Sequence, residues 1–429
     1  MTASTTARAT DDRRARQELL TGPDAGDVLA AALAADGAAL DDWGFREVWS
    51  RPGAETTVAY DVVAHRRHDG ADRVAREHLY ATDATDRDLG RRPQDGAPQR
   101  LDGVVRLDGG ARTLHVWRHP HDPALPGLAV AAVPAGVGER LAAAGIHDGV
   151  RSLETVAYRP LRRAVLRART GGSTVYVKVV RPRRTDDLVR RHELFEDAAE
   201  LAAPAVLAAG ADGVVVLAEL PGPSLAAHLA STPAGRQPDA FDPAELLRVT
   251  DALPPAGAAM RRRAPWADRL DRYVTELTDR HDVGRRRLGE LATAITSAQR
   301  GRDPGPVVTT HGDLHAANLV LADPAVVATC RVAGVLDVDT LGPGHRVDDL
   351  ACTVAHLAVL PDLAPGTYGG VAGLVDRCLA VLGEAVDPVV LRARAAAVVV
   401  SLAAGAPDAA LAEAWLGAAG RLLTADERF

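Results

Sequence analysis

The sequence predicts an α+β protein in which a β-rich lobe is followed by an α-helical lobe, with a small α+β module ahead of both. Three observations predict it. Short valine-rich runs broken by glycine fill residues 163–220. Amphipathic runs of helical length dominate from residue 243 onward. At 429 residues the chain is also too long for one ordinary domain.

Residues 1–22 are rich in charge and read as a mobile arm, while 25–39 is alanine-rich and reads as helix. Strand-like runs follow at 56–64, 103–107 and 113–117, separated by glycine and aspartate clusters. Residues 120–126 read as a stiff loop and 137–144 as a short helix, so 1–147 is expected to be a cap-like α+β module. The β-rich lobe is expected over 148–222. Its runs at 163–169 and 174–180 are joined by Gly171–Gly172, and Val175, Val177 and Val179 alternate with Tyr176 and Lys178. A helix is expected over 188–201, with Leu194, Ala198 and Leu201 on one face, and a third strand over 213–220. The helical lobe is expected over 223–429, with helices at 243–253, 266–280, 286–298, 348–360, 370–382, 388–404 and 407–423. Pro388 and Pro407 suit first turns. Short strands at 307–310, 319–321 and 332–336 interrupt these helices.

Composition excludes several function classes. The net charge of −7 argues against a nucleic-acid surface, which needs a basic excess. Hydrophobic residues at 47% and charged residues at 25% are those of a soluble globular chain. The most apolar run, 395–404, is too short to span a membrane, and the charged N-terminus lacks the apolar centre of a signal peptide. A cytoplasmic protein is therefore expected. The three cysteines, Cys330, Cys352 and Cys378, are widely spaced and form no zinc pattern, so they read as buried thiols.

Arginine is abundant, yet Lys178 is the only lysine and Asn318 the only asparagine. In a chain biased toward alanine, arginine, glycine and valine, a lone lysine marks a place where the wide planar guanidinium fails and a compact ammonium is needed. Both lone residues fall in a pattern that suits phosphoryl transfer. The segment from His311 to Asn318 reads HGDLHAAN. Asp313 offers a carboxylate to an acceptor hydroxyl, and Asn318 offers a neutral oxygen to a hard cation such as magnesium. Asp337, 19 residues after Asn318, ends the next apolar strand. Lys178 stands on a strand upstream, with Glu193 on the segment that follows it.

These residues make the chain resemble the aminoglycoside phosphotransferase-like superfamily of small-molecule kinases, over residues 151–429. In layout it is most similar to maltokinase- and glucosamine-kinase-type sugar kinases. The resemblance implies a bilobal protein-kinase-like fold and an ATP- and Mg2+-dependent transfer to a hydroxyl of a small molecule. Asp313 would be the catalytic base, with Asn318 and Asp337 as magnesium ligands. Lys178 would hold the α- and β-phosphates, with Glu193 as its partner. Glu219 and Leu220 would lie at the hinge that binds adenine, Asp349 would be structural, and Asp339 would stand behind the metal ligands. No glycine-rich loop precedes Lys178, and the stretch from Tyr158 reads YRPLRRAV. Arg162 or Arg163 therefore either contacts phosphate or is solvated. No DFG or APE triplet appears, which argues against a regulated protein kinase.

The expected acceptor is a sugar or amino sugar. An aminoglycoside or choline-like acceptor is the alternative, and a regulatory pseudokinase or a protein-modifying enzyme are readings from other classes. His345 and His356 read as structural, and Trp266, Tyr273 and Trp415 as core. Asp408 and Glu413 read either as acceptor contacts or as an exposed face.

Overall fold

The computed structural model describes residues 18–49, 55–68, 71–90, 100–101, 103–109, 112–231, 241–322, 330–368 and 370–424. Most of the expected N-terminal arm lies outside these residues. The chain forms two compact units, residues 1–186 with 206–218 and residues 187–205 with 219–429. The fold is α+β, as the sequence predicts.

In the first unit, helix α1 (Ala25–Ala35) precedes six strands: β1 (Ala38–Trp49), β2 (Thr57–His68), β3 (Ala71–Thr82), β4 (Arg100–Leu101), β5 (Val104–Gly109) and β6 (Arg112–Arg118). They form one antiparallel sheet in the order β1-β2-β3-β6-β5-β4. Alternation along β2 explains how it is held. Val58, Tyr60, Val62 and Ala64 point to one side and are buried with Leu29 and Leu33 of α1. The helix stops at Ala35 instead of reaching residue 39, because Ala38 already pairs with Arg66 in the sheet.

Two short helices, α2 (Leu128–Ala131) and α3 (Pro134–Ala143), lead to a second sheet. Its strands are β7 (Val150–Arg159), β8 (Arg163–Thr170) and β9 (Thr174–Val180). Helix α4 (Thr185–Glu193) comes next, and β10 (Val206–Ala209) and β11 (Val214–Ala218) complete the sheet. The order is β10-β11-β9-β8-β7, antiparallel throughout. Sequence reasoning missed β1 and β7 for a common reason. Both are edge strands with mostly exposed side chains, so neither carries a clear apolar alternation.

The two sheets of this unit meet at a polar knot. Asp122 is buried, and its carboxylate accepts from the Tyr158 hydroxyl at 2.8 Å, Leu161 N–H at 2.7 Å and Ala124 N–H at 2.8 Å. Burial pushes its carboxyl up from the ordinary value, against the pull of these donors. Tyr158 also accepts from Trp117 Nε1 at 3.1 Å, and Tyr80 stacks on Trp117 with ring centroids 5.6 Å apart. Leu161, in the β7–β8 turn, has the left-handed φ of 60° that is rare outside glycine. Its carbonyl accepts from Arg181 Nε at 2.7 Å, so both of its backbone groups are held.

The second unit is mainly helical. After α4 it contains α5 (Leu225–Ser231), α6 (Ala244–Asp251), α7 (Leu270–Arg280) and α8 (Arg285–Gln299). Two small two-stranded sheets follow, in which β12 (Val307–Thr310), β13 (Leu319–Leu321), β14 (Val332–Val335) and β15 (Gly342–His345) pair antiparallel as β12-β15 and β13-β14. Then come α9 (Arg346–Leu363), α10 (Pro365–Tyr368), α11 (Ala372–Gly383), α12 (Pro388–Ala403) and α13 (Ala409–Thr424). Pro388 opens α12 as expected, whereas Pro407 lies ahead of α13, where Asp408 accepts from Leu411 N–H at 2.8 Å.

The helix expected over 188–201 is a correction, since α4 ends at Glu193. Ala202 is drawn into parallel pairing with Gly334, giving bonds to Ala333 O at 3.0 Å and from Val335 N–H at 2.8 Å. A chain committed to that pairing leaves the helical path early. Gly334 permits the approach, because a Cβ there would lie 2.6 Å from Ala202 O. Leu201 is nevertheless buried in the core, with Leu194 and Ala198 partly buried against it, so the apolar residues were identified although their backbone was not.

Removing the acceptor at the knot tests whether it joins the two sheets. Asp122→Ala leaves three buried donors unpaired and should lower the unfolding free energy by about 3 kcal/mol or more. Denaturant titration measures this, and an unchanged midpoint would contradict the assignment.

Candidate active site

Strand β12 delivers the chain to His311, and a single turn places the next seven residues before β13 begins at Leu319. Gly312 makes that turn with φ of +79°, and a Cβ there would lie 3.0 Å from Thr340 O and Oγ1. The loop is pinned from beneath by α9. Asp349, 1% exposed, accepts from His311 N–H at 2.7 Å through Oδ2 and from Gly312 N–H at 2.8 Å through Oδ1. Thr353, one turn further on, donates its hydroxyl to Leu314 O at 2.8 Å. Thr340 donates to His311 O at 2.7 Å and Trp266 Nε1 to Gly312 O at 3.2 Å.

His311 is fully buried, and its two ring nitrogens link the loop to the neighbouring strand end. Nε2 lies 2.8 Å from Leu336 O and Nδ1 accepts from Asp313 N–H at 3.3 Å, which sets the tautomer with hydrogen on Nε2. Leu336 N–H in turn donates to Asn318 O at 2.8 Å. Asn318 and Asp337 are thereby brought to adjoining backbone positions although 19 residues separate them. Asn318 Nδ2 donates to Asp313 O at 3.0 Å and lies 3.1 Å from His315 Nε2. With its nitrogen so engaged, the amide oxygen is the atom left for a cation.

Asp337 has φ of 54° and ψ of 52°, a left-handed conformation outside glycine. Such a conformation costs about 1–2 kcal/mol and persists where the surroundings enforce it. An amide oxygen and a carboxylate so placed suit Mg2+, which prefers a few protein oxygens and otherwise keeps its waters. Asp339 lies in the turn of 3-10 helix that follows.

The remaining sequence-predicted residues have these places. Lys178 lies on β9 in the first unit, 5% exposed, and is paired in register with Val165 and Val215. Arg163 begins β8 opposite Val180. Arg162, the other candidate for phosphate, donates to Glu55 at 2.5 Å. Glu193 is the last residue of α4 and is exposed. Exposed Glu219 and half-buried Leu220 follow β11, where the chain passes from the first unit to the second.

Trp266 stacks on Tyr273 at 6.0 Å, with the Arg269 guanidinium 4.9 Å from its ring. A small pocket beside Gly312 is lined by Trp266, Arg263, Thr310, Thr340, Asp348 and Arg394. Its buried Arg394 is already paired with Asp348, and with Asp268 at 3.3 Å. Glu413 accepts from Gly284 N–H at 3.2 Å and pairs with Arg287 at 3.1 Å, holding α13 to α8. His345 caps α9 together with Asp348, a structural role as expected.

Sequence reasoning missed Thr340 and Thr353. Asp349, Cys352, Thr353 and His356 recur at helical spacing in an otherwise apolar α9, and that polar stripe was the available signal. His315 and His356 stack with ring centroids 4.5 Å apart. Burial first, then His311 in the case of His315 and His315 in the case of His356, lowers the pKa of each ring to about 4, so both are neutral at pH 7.

The pattern of a family described as "Phosphotransferase enzyme family" matches residues 161–377, just over half of the chain, and the chain belongs to that family. The chain is similar to an aminoglycoside 3'-phosphotransferase of Streptomyces fradiae, 33% identical over 123 residues. That match covers 28% of the chain and 44% of the relative, so it spans less than half of the relative's length. Among solved structures it is similar to a macrolide 2'-phosphotransferase from Brachybacterium faecium, with 17% identity and a TM-score of 0.38. That likeness covers 68% of this chain and 98% of the other. A choline kinase from Streptococcus pneumoniae gives 13% identity and a TM-score of 0.41, over 64% and 93% of the two chains.

Burial raises the Asp349 pKa to about 6, outweighing His311 and the two N–H donors. A carboxyl whose folded pKa is raised holds its proton more tightly when folded. Its contribution to stability is present at low pH and is lost as pH rises through about 6. Asp349→Asn should remove that part of the pH slope between about pH 4 and 6. At pH 7 it should also lower stability by about 1–3 kcal/mol, because an amide nitrogen then faces one of the two N–H groups. Denaturant unfolding of both proteins across this range checks the sign and the size.

Proposed function

We propose that the chain is an ATP- and Mg2+-dependent phosphotransferase whose acceptor is a hydroxyl of a small molecule, a sugar or amino sugar in the first instance. The observation that carries this reading is the loop from His311 to Asn318. A buried carboxylate fixes it from beneath, and Asn318 within it accepts from Leu336 N–H, the residue before Asp337. Membership of the phosphotransferase family supports the reaction class.

In this scheme Asn318 and Asp337 would hold magnesium through oxygen, and the ion would supply positive charge against that of the phosphates. Asp313 accepts the hydrogen bond, and then the proton, of the acceptor hydroxyl. The neutral rings of His315 and His356 add no positive charge that would draw that proton away. Lys178 is proposed to hold the α- and β-phosphates, with Glu193 as its partner and Arg163 as a further phosphate contact. Backbone groups at Glu219 and Leu220 are proposed to meet the adenine. Residues 1–147 are proposed as a cap-like module, 148–222 as the nucleotide lobe and 223–429 as the lobe carrying the catalytic loop and acceptor site.

An aminoglycoside acceptor is the second reading, favoured by the similarity to the Streptomyces fradiae relative. Aminoglycosides are themselves built on amino sugars, so a common pocket chemistry of carboxylates facing ammonium groups would serve both. Choline shares the cation without the sugar ring.

ADP release from Mg-ATP across sugars, amino sugars, aminoglycosides and choline tests the reading. Turnover on one of these compounds is expected, falling by about 10²–10⁴ in Asp313→Ala while nucleotide binding is retained. Equal turnover in Asp313→Ala would refute its role as base. Lys178→Met should weaken the use of ATP, seen as a raised KM for the nucleotide.

A further inference from the structure

Two side chains on the polar stripe of α9 have no part in the phosphoryl-transfer scheme. Cys352 and His356 stand one helical turn apart, with Cys352 Sγ 3.6 Å from His356 Nδ1. Asp313 completes the group: one ligating atom from each of the three residues lies within 4.8 Å of the others. Among the described residues no other set of three such side chains converges in this way. Cys352 is 1% exposed, whereas Asp313 and His356 are partly exposed and offer an approach from outside.

We propose that Asp313, Cys352 and His356 form a binding site for a thiophilic divalent cation, with zinc as its reference ligand, and that occupation of this site stops phosphoryl transfer. The donor set is one thiolate, one imidazole and one carboxylate. Zinc takes such sets with bonds of about 2.0–2.3 Å and keeps a fourth position open when only three protein ligands are present. Magnesium favours oxygen and leaves a sulfur–nitrogen pair to softer ions, so this site and the Asn318–Asp337 pair select different metals. Binding displaces the Cys352 thiol proton to solvent and forms one sulfur–metal bond, with no change of oxidation state. The ligand atoms must close from their present spacing to about 3.5 Å, the edge of a zinc tetrahedron with those bond lengths. That closing requires side-chain rotation on one helix turn and one loop, and it releases the contact of His356 Nδ1 with Cys352 O at 2.9 Å.

The consequence follows from the shared ligand. A carboxylate committed to zinc no longer accepts the hydroxyl proton, so the same residue makes the base and the brake. The inhibitory half of this proposal rests on the function proposed above, whereas the binding half does not.

Cobalt(II) added to the full chain provides the test, because a cysteine–cobalt bond has its own near-ultraviolet charge-transfer absorption. One equivalent of cobalt should give the band, and zinc should abolish it by displacement. Cys352→Ala should lose the band. His356→Gln, which keeps the thiol and the helix, should weaken cobalt binding at least tenfold. Cys330→Ala should retain the band, which matters because Cys330 Sγ lies 3.3 Å from His228 Nε2 and forms a second sulfur–imidazole pair. Absence of the band in the unaltered protein, or its loss in Cys330→Ala alone, would overturn the site. With binding established, low micromolar zinc at saturating Mg-ATP should reduce turnover at least tenfold in the unaltered protein and leave Cys352→Ala unaffected. Equal inhibition of both proteins would place the inhibitory zinc elsewhere and overturn the brake.

Discussion

The two hydrogen bonds from His311 and Gly312 N–H to the Asp349 carboxylate are the constraint on which the second unit's chemistry depends. They hold the start of the loop against a helix whose own first turn is capped by His345 and Asp348. From that fixed start, His311 reaches Leu336 O and the Asp313 amide, and Leu336 reaches Asn318 O. A chain of short polar contacts thus transmits the position of one helix to three separated residues. Burying a carboxylate is unfavourable, which is why its pKa rises to about 6. Its two backbone donors make the charged form tolerable and convert that expense into a defined geometry.

The first unit uses the same device for a different purpose. Asp122, four residues past β6, accepts from Tyr158 and Leu161 on the side of the five-stranded sheet, and Trp117 of the six-stranded sheet donates to the same Tyr158 hydroxyl. The β7–β8 turn is held by its own carbonyl as well, through Arg181, whose guanidinium also reaches Asp88 O at 3.0 Å. In place of a flexible glycine-rich turn, the chain has a leucine in a left-handed conformation fixed by its neighbours. Arg162 is drawn toward Glu55.

Much of this was legible in the sequence, and the parts that were not have physical reasons. The strand carrying Lys178 was plain, because valine alternation along a strand is a strong signal. The HGDLHAAN loop was plain because its residue types match a chemistry, and the lone asparagine lies within it. Strands β1 and β7 were hidden by the polarity of sheet edges. The end of α4 at Glu193 was hidden because the pairing of Ala202 with Gly334 is a contact 132 residues away in sequence, invisible to any local pattern. Trp266 looked like core and does stack on Tyr273, yet its indole N–H also braces the loop at Gly312 O.

The central claim is that Asn318 and Asp337 are the paired ligands of a magnesium ion that serves the nucleotide. Anomalous diffraction from crystals grown with Mn2+ and a non-hydrolysable ATP analogue measures it directly. A manganese peak at about 2.1 Å from the Asn318 amide oxygen and an Asp337 carboxylate oxygen, with the analogue's phosphates as the remaining ligands, is the predicted result. A nucleotide-bound manganese that touches neither residue would contradict the account.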